Sequence, residues 1–337
     1  MKQRAFIVSF MLSFKIYAST YVPCSDSEMQ AKTCFECGAS CVMRYSESIK
    51  NNNTIEKILT VSGEGNMGNF NYDGDTPTPW YVKSSEVTKV VVDEGITSVG
   101  FNGFYHFMNL SEVELPSTLL NLEPGAFQSC PQLKSLSLPD GVNIHRASLQ
   151  GTGLTSIVIP KNAKLLSGED IFDSPYYGST PIEKIYCLSE QKDACAAVVA
   201  YRGDNVSVIA YQKSDDGFYQ IGDKLYATAD LMTKGAACDN AQNCQDILDA
   251  ASQGKPFEVG GKYWATLDLF ASGAACTDKQ NCEDILASNG APFKVGSKIY
   301  NSMEDFALGN NVKFRIYTID EANQVAGKTN TFSIRYR

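Results

Sequence analysis

Histidine is scarce in this sequence, with two residues, His106 and His145, among 337. The sequence contains no H-E-x-x-H metal motif and no G-x-S-x-G nucleophile turn. A glycine-rich phosphate loop is also not indicated, because the glycines that begin at Gly63 and Gly65 are not followed by the helix that such a loop needs. These absences predict that the chain is not an enzyme and binds no cofactor. The alternative is a hydrolase whose site is built from carboxylates that no motif marks.

Basic residues are in the minority. The chain has 29 Lys and Arg against 38 Asp and Glu, which gives a formal net charge of −9. Binding to a phosphate backbone needs clustered Lys and Arg, so this balance argues against nucleic acid as a partner.

Long apolar runs are absent beyond the first 20 residues. Lys2 and Arg4 precede an apolar run at 5–14, and small residues follow at 18–20. This order is typical of a secretory signal peptide, and we assign residues 1–20 to one. The run is too short to span a bilayer, and no second run reaches the roughly 18 residues that a membrane helix needs. We therefore expect a secreted or cell-surface protein with no membrane span after signal removal.

Ten of the eleven cysteines fall into local groups. Close pairs in an exported chain are expected to form disulfides. The predicted pairs are Cys187–Cys195, Cys238–Cys244 and Cys276–Cys282. Four more cysteines are expected to form two disulfides, but the sequence does not show which of them pair. The alternative is that these four bind zinc: Cys24, Cys34, Cys37 and Cys41.

Cys130 is the remaining cysteine. A nucleophile with His106 or His145 as its base is one interpretation. The other is packing, because the residue 23 positions earlier is Phe107, and a position that accepts either phenylalanine or cysteine is typical of a buried column. We predict the buried packing role.

A leucine-rich pattern recurs in the middle of the chain. One copy reads Leu110, Val113, Leu115 and Pro116. The copies begin at Val87, Leu110, Leu133, Leu154 and Ile182, with spacings of 23, 23, 21 and 28 residues. These spacings are in the range of leucine-rich repeats. The alternation at i+3 and i+5 places these apolar side chains on one face of a short strand, and stacked copies would bury that face in a parallel sheet.

The segment Leu110–Gln132 resembles the BspA-type leucine-rich repeat of bacterial surface proteins. It carries Leu-Pro-Ser-Thr-Leu from 115 and Gly-Ala-Phe-Gln-Ser-Cys from 125. The order of Leu59–Met67, Pro79-Trp80 and Val87–Val92 is similar to the N-terminal cap and first repeat of that family. The resemblance covers roughly residues 37–211 and about five units. It implies a surface protein that adheres to host or neighbouring-cell proteins.

Residues between the inward positions are expected to line the exposed face of the sheet, which curvature makes concave in solenoids. The first column is Lys89, Glu112, Ser135, Ser156 and Lys184. The second column is Val91, Glu114, Ser137, Val158 and Tyr186. We predict that a partner binds this face, with Tyr186 as the anchor, because aromatic residues dominate interface hot spots.

A second repeat follows residue 217. The sequence pattern of Tyr219–Tyr226 recurs at Phe257–Trp264 and at Phe293–Tyr300. Each copy is two alternating runs around a glycine-containing pair, which predicts a β-hairpin. Thr228, Thr266 and Ser302 then stand where they can cap a helix.

The hairpins also contain recurring aromatic and basic residues: Tyr226, Trp264, Tyr300 and Tyr317, with Lys224, Lys262, Lys298 and Arg315. One interpretation is an aromatic and cationic surface for cell-wall glycan. The other places the aromatic side chains on the following helix and the lysines in solvent, because alternating strands have one face of each kind. We favour the second.

The sequence predicts an α+β repeat protein: a short leucine-rich-repeat solenoid with a parallel β-sheet, followed by hairpin-plus-helix repeats. We divide it into a signal peptide (1–20), a cysteine-containing N-terminal cap (21–86), the solenoid with its C-terminal cap (87–211) and the hairpin–helix repeats (218–337). Ser214–Gly217 is interpreted as a linker. The expected function is binding or adhesion to an extracellular or host protein, and glycan binding by the C-terminal repeats is the alternative.

Overall fold

The computed structural model describes residues 21–49, 55–70, 78–166, 171–172, 180–199, 206–288 and 291–311. The predicted signal peptide and the aromatic and basic positions Tyr317 and Arg315 lie outside the described residues, as do residues 332–337, whose alternating sequence is typical of a strand. The chain forms two compact units, 1–244 and 245–337, and each is described by itself. None of the described helices is long and apolar enough to cross a membrane.

The first unit contains most of the strands. They are β1 (Cys34–Gly38), β2 (Cys41–Ile49), β3 (Ile55–Gly63), β4 (Gly65–Asn66), β5 (Lys89–Val92), β6 (Ile96–Val99), β7 (Glu112–Glu114), β8 (Asn121–Leu122), β9 (Asn143–Ile144), β10 (Ser156–Ile159), β11 (Lys164–Leu165), β12 (Lys184–Leu188), β13 (Ser207–Lys213), β14 (Tyr219–Ile221) and β15 (Lys224–Tyr226). Its helices are α1 (Asp26–Gln30), α2 (Lys192–Val199) and α3 (Ala229–Lys234), with 3-10 turns at Pro79–Lys83 and Ser189–Gln191.

Helix α4 (Ala241–Ser252) contains the division between the units. The second unit continues with β16 (Phe257–Val259), β17 (Lys262–Trp264), α5 (Leu267–Ser272), α6 (Lys279–Ala287), β18 (Phe293–Val295), β19 (Lys298–Tyr300) and α7 (Met303–Ala307). This α+β repeat architecture confirms the predicted fold class.

The N-terminal cap is an antiparallel arrangement of β1, β2 and β3. Its four cysteines form the disulfides Cys24–Cys34 and Cys37–Cys41, so the zinc alternative is wrong. Trp80 is fully buried behind the cap, and its indole N–H donates to the Gly103 carbonyl at 2.7 Å. The cap therefore closes the apolar end of the array, which a solenoid needs at its first repeat.

The first sheet of the solenoid carries the predicted parallel strands. β3 pairs in parallel with β5, and β5 pairs with β7. Farther along the chain, β10 pairs in parallel with β12, and β12 with β13. The inward leucines that start the repeat copies, Leu110, Leu133 and Leu154, are completely buried. Their burial confirms the register that the leucine pattern predicts.

The third copy departs from the prediction. Leu133, Leu136 and Leu138 were expected on a strand, but residues 133–139 form none, and the first sheet is interrupted between β7 and β10. The outward positions of this copy are Ser135 and Ser137, which offer none of the β-branched packing that favours strands. Leu133 and Leu138 remain buried, so the copy keeps its place in the core.

A second parallel sheet, which the leucine pattern did not predict, runs along another side of the solenoid in the order β11-β9-β8-β6-β4. Its strands are two to four residues long. Asn143 donates from Nδ2 to Asn121 Oδ1 at 2.8 Å, which links two successive repeats on this side.

Turns on the remaining side repeat a left-handed backbone conformation. Positive φ angles occur at equivalent positions of successive copies: Asn102, Gly125 and Ala147, and His106, Ser129 and Gly151. A Cβ atom at Gly125 would lie 2.2 Å from Asn102 Oδ1, so a larger residue there would displace the Asn102 side chain. Backbone hydrogen bonds join these turns, such as Phe104 N to Ala126 O at 2.8 Å.

The first hairpin–helix repeat belongs to the same unit as the solenoid. β13 pairs antiparallel with β14, so β14 and β15 extend the second part of the first sheet. The predicted linker at 214–217 is instead a tight turn between these strands, closed by Gly217 N donating to Ser214 O at 2.9 Å. The division between the two compact units therefore falls after Cys244, not between 211 and 218.

The hairpins and helix caps of the second repeat form as predicted. The two-residue turns are flanked by the pairs Ile221–Lys224, Val259–Lys262 and Val295–Lys298. Thr228, Thr266 and Ser302 each accept a hydrogen bond from the backbone N–H three residues later. Gly235 and Gly273 end the first two helices in the left-handed conformation.

In the second unit, each repeat packs on the next. Cys282 and Ile285 of α6 share a core with Phe293 and Tyr300 of the following hairpin. Asn281 strengthens this junction, because its Nδ2 donates to the Lys294 carbonyl at 2.7 Å. The disulfide Cys276–Cys282 links the segment before α6 to the first part of that helix, which contains Asn281.

Candidate functional site

The residues predicted to form the exposed face lie on the side of the first sheet that points away from the core, which we call the outward face. The strand register aligns them as predicted: Lys89 with Glu112, Val91 with Glu114, and Val158 with Tyr186. Solvent exposure then divides the face into an uncovered part and a covered part.

Lys89, Glu112 and Glu114 form an ion cluster at the uncovered end. Lys89 Nζ lies 2.5 Å from Glu112 Oε1 and also contacts Glu114 Oε1. The side chain of Lys89 is 15% exposed, whereas that of Glu114 is 55% exposed, so the carboxylate of Glu114 faces solvent. Partial burial acts to lower the pKa of Lys89, but its hydrogen bonds to Glu112 and Glu114 outweigh this effect and raise the pKa.

Serine, valine and lysine side chains occupy the other positions of the two columns along the outward face. Ser135 and Ser137 are exposed, Val91 and Ser156 are half-buried, and Lys184 is exposed at the edge of the later strands. The uncovered part of the face thus offers hydroxyl and carboxylate groups over successive copies.

Sequence reasoning missed two residues of this face, both contributed by the N-terminal cap. Strand β3 pairs Ile58 with Lys89 and Thr60 with Val91, so the two columns begin one strand earlier than predicted. The alternation of Leu59 and Val61, which are buried, with these half-exposed neighbours is the sequence signal that identifies the strand.

Tyr186 lies in its predicted column, but the prediction that it is exposed is wrong. Its side chain is 4% exposed and packs in a cluster with Tyr211, Tyr226 and Met232. Its hydroxyl donates to the Thr233 carbonyl at 3.4 Å. The hairpin–helix repeat that begins at β14 covers this part of the face, so Tyr186 cannot anchor a partner from solvent.

Val158 and Ile209 complete the covered part of the outward face. Both are half-buried and pack against the cluster of Tyr186, Tyr226 and Met232. The second column is therefore apolar at Val158 and Tyr186, where the cluster with Met232 of α3 covers it, and polar and exposed at Glu114 and Ser137.

The aromatic residues of the hairpins contradict the basis of the glycan alternative. Tyr226, Trp264 and Tyr300 are each less than a tenth exposed. In the second unit, the Trp264 ring lies 5.1 Å from Phe270, and the Tyr300 ring lies 4.9 Å from Phe306. These rings pack on the following helices, as the favoured interpretation predicted, and are not available to stack on sugars.

Comparison with protein-family models identifies the repeat. The model of the BspA type leucine-rich repeat region matches residues 81–185 in six copies. Residues 81–185 are a BspA-type leucine-rich repeat region. This confirms the resemblance found in the sequence, with a narrower span than the predicted 37–211 and one more copy than the predicted five. No curated protein matches the chain.

Solved structures of bacterial proteins are also similar to the chain. A leucine-rich repeat protein of Eubacterium ventriosum has 18% identity over 56% of this chain and 48% of its own, with a TM-score of 0.36. The pneumococcal vaccine antigen PcpA has 24% identity over 37% and 36%, with a TM-score of 0.28. A leucine-rich cell surface protein of Faecalibacterium prausnitzii has 17% identity over 56% and 60%, with a TM-score of 0.22. The chain spans about half the length of these proteins.

Cys130 belongs to the core of the BspA-type region. It is completely buried, and its thiol donates to the Phe104 carbonyl at 3.2 Å. Burial raises the pKa of the Cys130 thiol to about 12, although a hydrogen bond with the Phe107 backbone opposes the shift. The predicted packing role is confirmed, because a thiol held protonated away from solvent is a poor nucleophile.

Cys130→Ala is expected to lower the free energy of unfolding by about 1 to 3 kcal/mol, because it leaves a cavity in the BspA-type region. Denaturant unfolding of the variant and the wild type measures this difference. Partner binding should stay unchanged at temperatures where the variant is folded. Loss of binding or of an activity in an equally stable variant would return Cys130 to the nucleophile interpretation.

Proposed function

We propose that this chain is a secreted or surface-exposed protein that binds an extracellular or host protein through the uncovered part of its outward face. The observation that carries the proposal is the change along the two columns. They are apolar and covered by α3 at Val158 and Tyr186, and polar and uncovered at Glu114, Ser135 and Ser137. Solenoids commonly bind macromolecules on the extended face of their sheet.

Export is supported by two features of the chain. Residues 1–20 have the composition of a secretory signal. Ten cysteines form five disulfides, which persist in oxidising compartments outside the cytosol. Adhesion to host or neighbouring-cell proteins is the specific role that the BspA-type region suggests.

A non-enzymatic role agrees with the chemistry of the described residues. Among them, no three His, Cys, Asp or Glu side chains are grouped so as to hold a metal ion. The single free cysteine is buried and has a raised pKa. The proposal therefore rests on surface recognition and needs no bound cofactor.

Glu114→Lys is expected to weaken partner binding about tenfold or more, because it reverses the charge of the most exposed carboxylate on the face. The measurement is capture of purified extracellular-matrix proteins by the immobilised mature chain, followed by titration of the protein that binds. Glu190→Lys is the matched control, since Glu190 is exposed in the 3-10 turn after β12 and lies outside the two columns.

Glu114→Lys removes one of the two carboxylates that bind Lys89, so the unfolding temperatures of both variants are measured and affinities are compared where both are fully folded. Equal affinity of Glu114→Lys and wild type would remove the outward face as the binding site. Capture of purified cell wall in place of protein would refute the protein-binding function itself.

A further inference from the structure

The interruption of the first sheet isolates a single repeat copy on the outward face. β7 is the last strand of the sheet that starts in the cap, and β10 is the first strand of the sheet that ends at β15. Residues 133–139 lie between them, and none of these described residues donates or accepts a ladder hydrogen bond to β7 or β10. The copies before and after this point are therefore bonded into two separate sheets.

The other sides of the solenoid remain bonded through the same copy. On the second sheet, Asn143 N donates to Leu120 O at 2.8 Å, and Lys164 N donates to Val142 O at 2.9 Å. On the turn side, Phe127 N donates to Ser148 O at 2.8 Å. Backbone bonds thus run continuously past the third copy everywhere except on the outward face.

Side chains tie together the copies on each side of the interruption. Before it, Lys89 bridges β5 and β7 through Glu112 and Glu114. After it, the cluster around Tyr186 and Met232 joins β10, β12 and β13 under α3. Ser135 and Ser137 stand exposed between the two groups and, among the described residues, belong to neither of them.

We propose that the solenoid bends at its third copy, so that the outward face opens and closes between two rigid blocks. The first block extends from the cap to β7, and the second from β10 to α3. Bending at any other copy would break ladder hydrogen bonds, each of which contributes about 0.5 to 1.5 kcal/mol net. Bending at residues 133–139 breaks no ladder bond of the first sheet, and the second sheet acts as the hinge line. The range of the motion is small, because Leu133 and Leu138 stay buried in a core that is continuous through both blocks. This inference concerns the free protein and does not depend on the proposed binding activity.

Hydrogen exchange of the full mature chain tests whether the third copy lacks ladder hydrogen bonds in solution. The amides of residues 134–138 are expected to exchange at least about tenfold faster than those of Asn143 and His145, which belong to the same region but donate to Leu120 O and Leu122 O. Equal protection of the two groups would show that the third copy is bonded in solution and would overturn the proposal.

The double variant Ser135→Val and Ser137→Val tests whether the two serines are the reason that the third copy forms no strand. Valine occupies the positions equivalent to 137 at 91 and 158, and β-branched residues favour strands, so the double variant should slow exchange at 134–138. Ser207→Val is the matched control, because Ser207 is exposed on the already paired strand β13 and should leave that exchange unchanged. If Ser207→Val slows amide exchange at 134–138 as much as the double variant does, the effect does not come from strand formation in the third copy, and the proposal is contradicted.

A distance measurement separates bending from local opening. Spin labels placed at Glu64→Cys in the first block and Asp193→Cys in the second sit at exposed positions, and buried Cys130 stays unlabelled. We expect a broad distance distribution that narrows in the double valine variant. An equally narrow distribution in both proteins would refute bending, even if the amides of the third copy exchange rapidly.

Discussion

Replacing Phe127 with alanine is expected to lower the free energy of unfolding by about 3 to 5 kcal/mol, which is the usual cost of removing a buried aromatic side chain. Phe127 has no exposed surface, and its ring stacks on Phe104 with centroids 5.5 Å apart. Both rings come from equivalent turns of successive copies. The substitution therefore creates a cavity between two repeats, where a solenoid has its stabilising contacts.

Denaturant unfolding followed by circular dichroism measures the effect of Phe127→Ala. Phe127→Leu is the control, because it keeps most of the volume and should cost less than half as much. A cost below about 1 kcal/mol for the alanine variant would mean that the turn side of the array does not unfold together with the rest.

Tyr186→Ala is expected to cost about 3 kcal/mol and to loosen the first hairpin–helix repeat from the solenoid. The side chain joins β12 to Tyr226 of β15 and to Met232 of α3 in one buried cluster. Because the tyrosine is covered, binding of a partner to Glu114 and its neighbours should be retained wherever the variant is folded.

Hydrogen exchange at residues 219–238, together with denaturant unfolding, measures the loosening caused by Tyr186→Ala. Tyr186→Phe is the control: it removes only the 3.4 Å hydrogen bond to the Thr233 carbonyl and should cost about 1 kcal/mol or less. Loss of partner binding in a stable Tyr186→Phe variant would instead support a direct contact with the partner.

The leucine spacing was sufficient to predict the core of the solenoid. An inward leucine at i, i+3 and i+5 has to be buried by the next copy, and Leu110 and Leu154 are fully buried as a result. The same register placed Tyr186 beside Val158, as the structure does. The columns of the outward face could therefore be read from the sequence, because alternation along a strand is a local property.

The disulfides were predictable to different degrees. Cys187–Cys195, Cys238–Cys244 and Cys276–Cys282 are isolated local pairs, and the structure forms each of them. The four cysteines of the cap allow three connectivities, and composition does not choose among them. The fold of β1 and β2 chooses, because it brings Cys37 and Cys41 to neighbouring strand ends.

Local sequence patterns specified which side chains point inward, where the hairpins turn and where their helices begin, since each of these depends on a few neighbouring residues. Long-range contacts specified that α3 covers Tyr186, that the third copy lacks a strand, and that the first hairpin extends the solenoid sheet. The exposure of Tyr186 depends on residues about 40 positions farther along the chain, and the pairing of the third copy depends on two neighbouring strands at once. Such outcomes are set by contacts between distant segments, which no local pattern contains.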